Sequence, residues 1–243
     1  MASQELVPFE SYKLAQMDQD DLLEVIESNI GDAAINERSL DRVKMPSGGS
    51  ITWSVPTLEG DQDTKEIQGV IVYSKLIRNY WQTSYDESDG KETPDCTSPD
   101  SRQAFPPGEF TPPASPHPDG GFACDTCALA QFGSAKVGGG QACQQRRLIF
   151  LLTQDDILPF VVSLSPTSLK AASDYMMRLT RGGSPYWKVV TSITLEKHND
   201  PKPHARALFT RAATLSTEEA AALKEYRARL LPAFDAVQIA DAD

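Results

Sequence analysis

Cys96, Cys124, Cys127 and Cys143 are all the cysteines in the 243-residue chain, and their spacing carries its clearest chemistry. Cys124-Asp-Thr-Cys127 is the short loop that lets two thiolates reach one tetrahedral ion, and Cys143 follows at a ribbon-like interval. The expected ion is Zn2+. Its role is structural, because four thiolates leave no open coordination position for a reacting water. Cys96 is separated from the others by the longest stretch and is the least constrained ligand, with His117 as its alternative. Two other readings compete: a pair of disulfides, disfavoured where no export signal is seen, and unligated or redox-active thiols.

Aromatic and basic residues alternate in two places, Lys75-Leu-Ile-Arg78-Asn-Tyr80-Trp81 and Arg181-Gly-Gly-Ser-Pro-Tyr186-Trp187-Lys188. Unpaired nucleic acid is held by bases stacking on aromatic faces while cations follow the phosphates, and each stretch offers both within one strand length. Trp53 and Tyr85 extend this platform, and Arg146-Arg147 add charge beside Cys143. Lys170, Arg178, Lys197, Arg206 and Arg211 are available to line a groove. The plainer alternative for Trp53, Trp187 and Tyr73 is core packing. No enzyme chemistry is expected. Gly138-Gly139-Gly140 lacks the strand and lysine of a phosphate loop, and His117, His198 and His204 fall in no nucleophile constellation.

A formal net charge of −11 argues at first against a polyanionic partner, but the charge is unevenly spread. Residues 1–40 hold two basic and nine acidic groups, residues 41–140 eight and fourteen, residues 141–234 thirteen and eight, and the last nine residues three acids. A basic C-terminal half thus lies between acidic ends, which permits a local basic groove and makes any phosphate binding strongly salt-dependent. The 40% apolar content describes a chain able to bury a core. No apolar run approaches the roughly 20 residues of a membrane span. No basic patch followed by an apolar stretch opens the sequence, so no signal peptide is expected. The expectation is a soluble, intracellular protein without membrane contact.

These residues must be positioned by the surrounding elements. Residues 18–30 read as an amphipathic helix that starts acidic, within an acidic segment 1–42. Ser50–Val55 and Ile67–Tyr73 read as strands, the second continuing toward Trp81, with a flexible acidic loop between them. From 86 to 146 the composition breaks: eight of seventeen prolines lie between Pro94 and Pro118, together with all four cysteines. Such a stretch forms neither long helices nor central strands, and without an added constraint it is a floppy linker. Bound metal supplies the constraint.

Strands then follow at 147–153 and 158–164, a helix from Ser165-Pro166 to Gly182-Gly183, strands at 186–197 and 205–213, and a helix opening at Ser216-Thr-Glu-Glu219. The tail 235–243 is acidic. The order predicts an α+β, mainly β chain. Its core domain, 43–234, forms an oligonucleotide-binding-like (OB-like) small barrel with a zinc-binding insertion and flanking helices.

The run Cys96…Cys124-x2-Cys127…Gly138-Gly-Gly…Cys143…Arg147-Leu-Ile-Phe-Leu, then Leu158-Pro-Phe…Leu164-Ser-Pro-Thr-Ser168, resembles proteins common in bacteriophages and mobile elements. In architecture it is similar to the T-even phage single-stranded DNA-binding proteins, over about residues 45–231. That resemblance implies an OB-type barrel with an inserted zinc subdomain, binding to single-stranded DNA in replication or recombination, and an acidic end that recruits replication or recombination proteins. The chain departs from that family in offering four cysteines instead of three and a histidine, and in having an acidic instead of a basic N-terminus. The rival expectation is a zinc-braced protein-interaction module, a phage accessory protein or DNA mimic, that binds no nucleic acid.

Overall fold

A computed structural model describes residues 12–13, 17, 19–30, 40–83, 93–136, 139–199 and 203–236. Most of the acidic N-terminal segment, Tyr85, and the acidic tail beyond Ala236 lie outside the described residues. The chain divides into two compact units, one formed by residues up to 74 with 148–236, the other by 75–147.

The helices are α1 (Gln19–Ile30), α2 (Leu169–Arg181) and α3 (Thr217–Ala236). The first unit's strands are β1 (Arg42–Lys44), β2 (Trp53–Val55), β3 (Gln62–Thr64), β4 (Glu66–Tyr80), β8 (Gln144–Leu152), β9 (Phe160–Leu164), β10 (Val189–His198) and β11 (His204–Thr214), with β4 leading into the second unit and β8 returning from it. Their main sheet runs β1-β9-β8-β4-β10-β11. β1 joins β9 in parallel, while β10 pairs antiparallel with both β4 and β11. The molecule is therefore mixed α/β, mainly strands, on a curled half-barrel sheet with β1 and β11 as its two ends.

The apolar runs that predict strands are buried on both sides of this sheet. Ile71, Ile149, Leu151, Val162 and Ile193 form one cluster with Trp53 and with Ala172, Tyr175 and Leu179 of α2. The alternate residues Val70, Val72, Leu148, Phe150, Leu152 and Val161 are buried as well, which is why Leu148–Leu152 reads as an unbroken apolar stretch. On α3, Ala220, Leu223 and Tyr226 are buried, and the Tyr226 hydroxyl donates to the Ile157 carbonyl at 2.8 Å. Close strand packing demands glycine at position 69: a Cβ there would stand 2.5 Å from the Leu152 carbonyl oxygen.

Both helix ends written in the sequence are formed. Gly183, at φ +71°, closes α2 with its N–H on the Thr180 carbonyl, and Ser184 N–H reaches Leu179 O at 3.0 Å, the paired bonds of a Schellman motif. At the start of α3, the Glu219 N–H donates to Ser216 Oγ while the Ser216 N–H donates to the Glu219 carboxylate, a capping box. One boundary differs from expectation: Tyr186–Lys188 is a 3-10 turn instead of the start of a strand. Pro232 lies inside α3.

In the second unit, the proline-rich stretch is organised by very short ladders. β5 (Cys96–Ser98) pairs with the end of β4, and β6 (Gln103–Ala104) pairs with β7 (Phe122–Ala123). Prolines act as acceptors within this network: Ala128 N–H donates to Pro113 O, and Ala114 N–H to Pro112 O. The unit begins at Lys75, inside β4, whereas the composition changes only at 86.

Candidate metal centre and cationic groove

All four cysteines are buried, and none is in a disulfide. Cys96 opens β5, Cys124 follows β7, Cys127 precedes a 3-10 turn at Ala128–Ala130, and Cys143 directly precedes β8. Backbone bonds fix three of them, Cys127 N–H on Cys124 O, Cys124 N–H on Arg102 O and Cys143 N–H on Leu129 O, while Cys96 is held opposite Tyr80 in the β4–β5 ladder. The four line a single cavity of about 10 Å3, about the room of one water-sized sphere. His117 is not among its lining residues; its Nδ1 accepts the Asp119 N–H at 3.2 Å. Among the described residues, no three His, Cys, Asp or Glu stand as a ready ligating group.

The electrostatics of this cavity favour neutral thiols unless a cation is present. Burial pushes Cys96 up to about 12, with the neighbouring sulfurs Cys124 and Cys127 adding to the shift. Burial likewise holds Cys143 at about 12 against the opposing Arg78 guanidinium. Cys124 is raised by burial and eased by the Ser98 hydroxyl and Arg78. A divalent cation reverses this balance, since it turns mutual thiolate repulsion into coordination. The donor set therefore fits a soft-tolerant ion such as Zn2+. Arg78 forms part of the cavity wall, with one Nη donating to Cys143 O at 3.3 Å.

The residues expected to stack bases are placed differently from that expectation. Trp53 is 0% exposed and its indole N–H donates to the Ile193 carbonyl at 3.2 Å, so it is a core residue and offers no face to a base. Tyr80 is half-buried and tilted against Phe110 at 5.2 Å, packed on both cysteine pairs. Trp81 is half-buried at the end of β4. Tyr186 and Trp187 each stand about 5.5 Å from the Arg227 guanidinium of α3, at 5.5 and 5.4 Å, and that arginine also donates to the Tyr186 hydroxyl and Val72 O. The second aromatic pair thus serves largely to dock α3. Among the cations, Lys75 (8% exposed) and Arg146 (7%) are buried and Arg147 is half-buried, which removes the first two from any accessible surface. Arg181 and Lys188 are exposed.

A different group of the expected cations does come together. Lys170 and Arg178 of α2 and Arg206 of β11 line a groove of about 410 Å3 with Leu208, Phe209 and Asp174. Lys170 pairs with Asp174 at 2.6 Å, and Arg206 Nε donates to Glu196 at 2.7 Å. Arg178 is exposed, as is Arg211 just beyond the groove. The groove follows the last strand of the sheet, and Ser168 Oγ accepts the Ala207 N–H there at 3.0 Å. Sequence reading missed this role for Ser168 and the role of Arg227, because both depend on contacts distant in the chain. It also missed Phe132, 82% exposed in the glycine-rich turn after Cys127, for which the only signal is an aromatic residue flanked by Gln131 and Gly133.

No protein-family model matches the chain, and no significant match to it is found among the curated proteins or the solved structures. Among the described residues, no helix is long and apolar enough to cross a membrane.

Proposed function

We propose that this protein is a non-enzymatic, sequence-tolerant single-stranded DNA-binding protein of phage or mobile-element DNA replication or recombination. In this reading the first unit is OB-like, and a structural Zn2+ held by Cys96, Cys124, Cys127 and Cys143 braces the second. The observation that carries it is the α2–β11 groove. Lys170, Arg178 and Arg206 stand over a floor containing the partly exposed Leu208, so cations and apolar surface lie side by side. An unpaired strand presents bare bases as well as phosphates and uses both kinds of surface, whereas a duplex presents mainly its phosphates. Charge dominates this arrangement, with Tyr186 and Trp187 of the same unit in supporting roles. The acidic ends of the chain suit the recruitment of replication or recombination proteins.

The test is polarisation of a labelled oligo-dT added to the zinc-loaded protein across a salt series. Micromolar or tighter binding at low salt is expected, weakening steeply as salt rises. Replacing Arg178 and Arg211 with alanine lowers the salt slope by about 1.4, at about 0.7 per lost single-strand phosphate contact, with melting unchanged. Absence of binding at low salt sinks the reading. One observation favours the rival: the burial of Trp53 and the capture of Tyr186 and Trp187 by Arg227 remove much of the stacking surface. A zinc-braced protein-interaction module would retain its fold and zinc and leave the oligonucleotide free.

A further inference from the structure

Arg78 is the arginine that lines the four-cysteine cavity, and the zinc reading leaves it without a task. Arg78 lies in β4, where it pairs with Ser98 of β5. Its guanidinium lines the four-cysteine cavity and is tied down by the Nη bond to Cys143 O at 3.3 Å. Its Nε is fully buried with no hydrogen-bond partner among the described residues. A buried guanidinium N–H without an acceptor is costly, and such a group in a native site calls for an acceptor that is missing. Of the rest of this wall, Ala104, Pro112, Ala114, Ala123 and Ala130 present only aliphatic side chains, while the Thr97 and Ser98 hydroxyls donate to Asn79 Oδ1 and Asp100 Oδ1 and neither bonds the Arg78 Nε.

We propose that Arg78 is the counter-charge of the metal centre, and that its unpartnered Nε–H is reserved for a cysteine thiolate of the loaded site. The inference rests on the zinc reading given above. Four thiolates around a divalent ion carry a net charge of −2, in a pocket almost closed to water. One guanidinium against it halves that charge and supplies a charge-assisted hydrogen bond to sulfur. Arg78 is thus a positioning residue that acts through the ligands. By withdrawing electron density from a thiolate it makes the sulfur a weaker nucleophile and a slower site of protonation, so the centre holds its ion and resists oxidation. The second unit then depends on one arginine as much as on any single apolar residue.

The experiment measures zinc transfer from the purified full-length protein to a chromophoric chelator, for the wild type, Arg78→Met and Arg78→Lys. A cobalt-substituted set of the same proteins reports the sulfur-to-metal charge-transfer band. Arg78→Met is expected to lose zinc at least about tenfold faster than the wild type, the lower end of what outer-shell partners contribute. Its cobalt band should shift, which a purely structural role would not cause. Arg78→Lys keeps the charge and should fall within about threefold of the wild type, taking the retained charge as the larger part of that tenfold effect. Should Arg78→Met fail to fold, the lysine variant decides: transfer within about threefold of the wild type supports the counter-charge, and transfer about tenfold faster overturns it. A wild type that holds zinc while Arg78→Met matches it in rate and band overturns this inference alone. A wild type that binds no zinc at all overturns the zinc reading as well.

Discussion

The two units bury different things. In residues 148–236 and up to 74, a sheet covered on both faces encloses Trp53, Phe150, Ile71, Leu148, Ile149, Leu151, Leu152, Leu164, Ile193 and Leu223, all at essentially zero exposure. In residues 75–147, the buried hydrophobic residues apart from the cysteines are, among the described residues, Ile77, Ala104 and Ala130. An isoleucine and two alanines yield about 2–4 kcal/mol of burial, small against the ordering of some seventy residues at about 1 kcal/mol or more each. Hydrophobic burial can hold the first unit. The second needs another source of free energy, and the four cysteines lining one cavity are the group able to provide one.

On the proposed zinc reading, metal removal is the strongest way to break this comparison. Structural zinc contributes on the order of 10 kcal/mol in small thiolate sites, far above the apolar term of the second unit. Chelation, or Cys124→Ser, is expected to open residues 93–136 to hydrogen exchange and proteolysis. The amides of β8, β9 and β10 should stay protected. Equal protection of both units after complete chelation would show that the proline-rich stretch holds itself together, and the contrast drawn above would fail.

The first unit has the opposite vulnerability. Trp53→Ala removes the largest buried side chain and its hydrogen bond to the Ile193 carbonyl, so a loss of about 3–5 kcal/mol is expected from chemical denaturation. Gly69→Ala drives a Cβ to 2.5 Å from Leu152 O and is expected to cost about 1–3 kcal/mol, since backbone must move to admit it. Neither substitution should change the zinc content. If either one released the metal, the units would be coupled in stability and the comparison would need to be redrawn.

The sequence showed some of this and hid the rest, for identifiable reasons. Strands at Leu148–Leu152, Phe160–Leu164, Val189–His198 and His204–Thr214 were readable because local apolar runs and alternation carry the information, and the capping box at Ser216 and Glu219 is likewise local. The gathering of Cys124, Cys127 and Cys143 was readable from spacing, whereas Cys96, the least constrained by spacing, is placed with them only by the fold. The short strands β1 and β3 were not, since three residues without periodicity give no signal. The fate of the aromatics was hidden for a different reason. Tyr186-Trp187-Lys188 has the same composition whether it faces a base or a helix, and only Arg227, some forty residues later, decides between them. Likewise Lys75 and Arg146 look solvent-bound in sequence because charge type says nothing about which face of a strand it occupies.

The smallest expected effect concerns pH, where the two units should again separate. Glu196 lies beside the groove, and its carboxyl is held below the usual carboxylate range, first by the hydrogen bond from His198 at 2.8 Å and then by Arg206. A depressed folded value means that its contribution is present above the unfolded value of about 4.3 and is lost as pH falls through the folded value. The same sign holds for Glu66, lowered by hydrogen bonds from Ser192 and Gln68. Both carboxylates are largely solvated, so acidification from pH 6 to pH 4 should change the first unit's melting little, and Glu196→Gln should flatten what change there is. Metal held by thiolates responds over a higher range, because each ligand must stay deprotonated for the ion to remain. Protection of residues 93–136 is therefore expected to fall with acid before the first unit's melting does. Monitoring zinc release and near-ultraviolet circular dichroism together on one acid titration checks the order. Simultaneous loss of both signals would place the acid-sensitive contacts in the sheet and make the carboxylate pairs the larger effect.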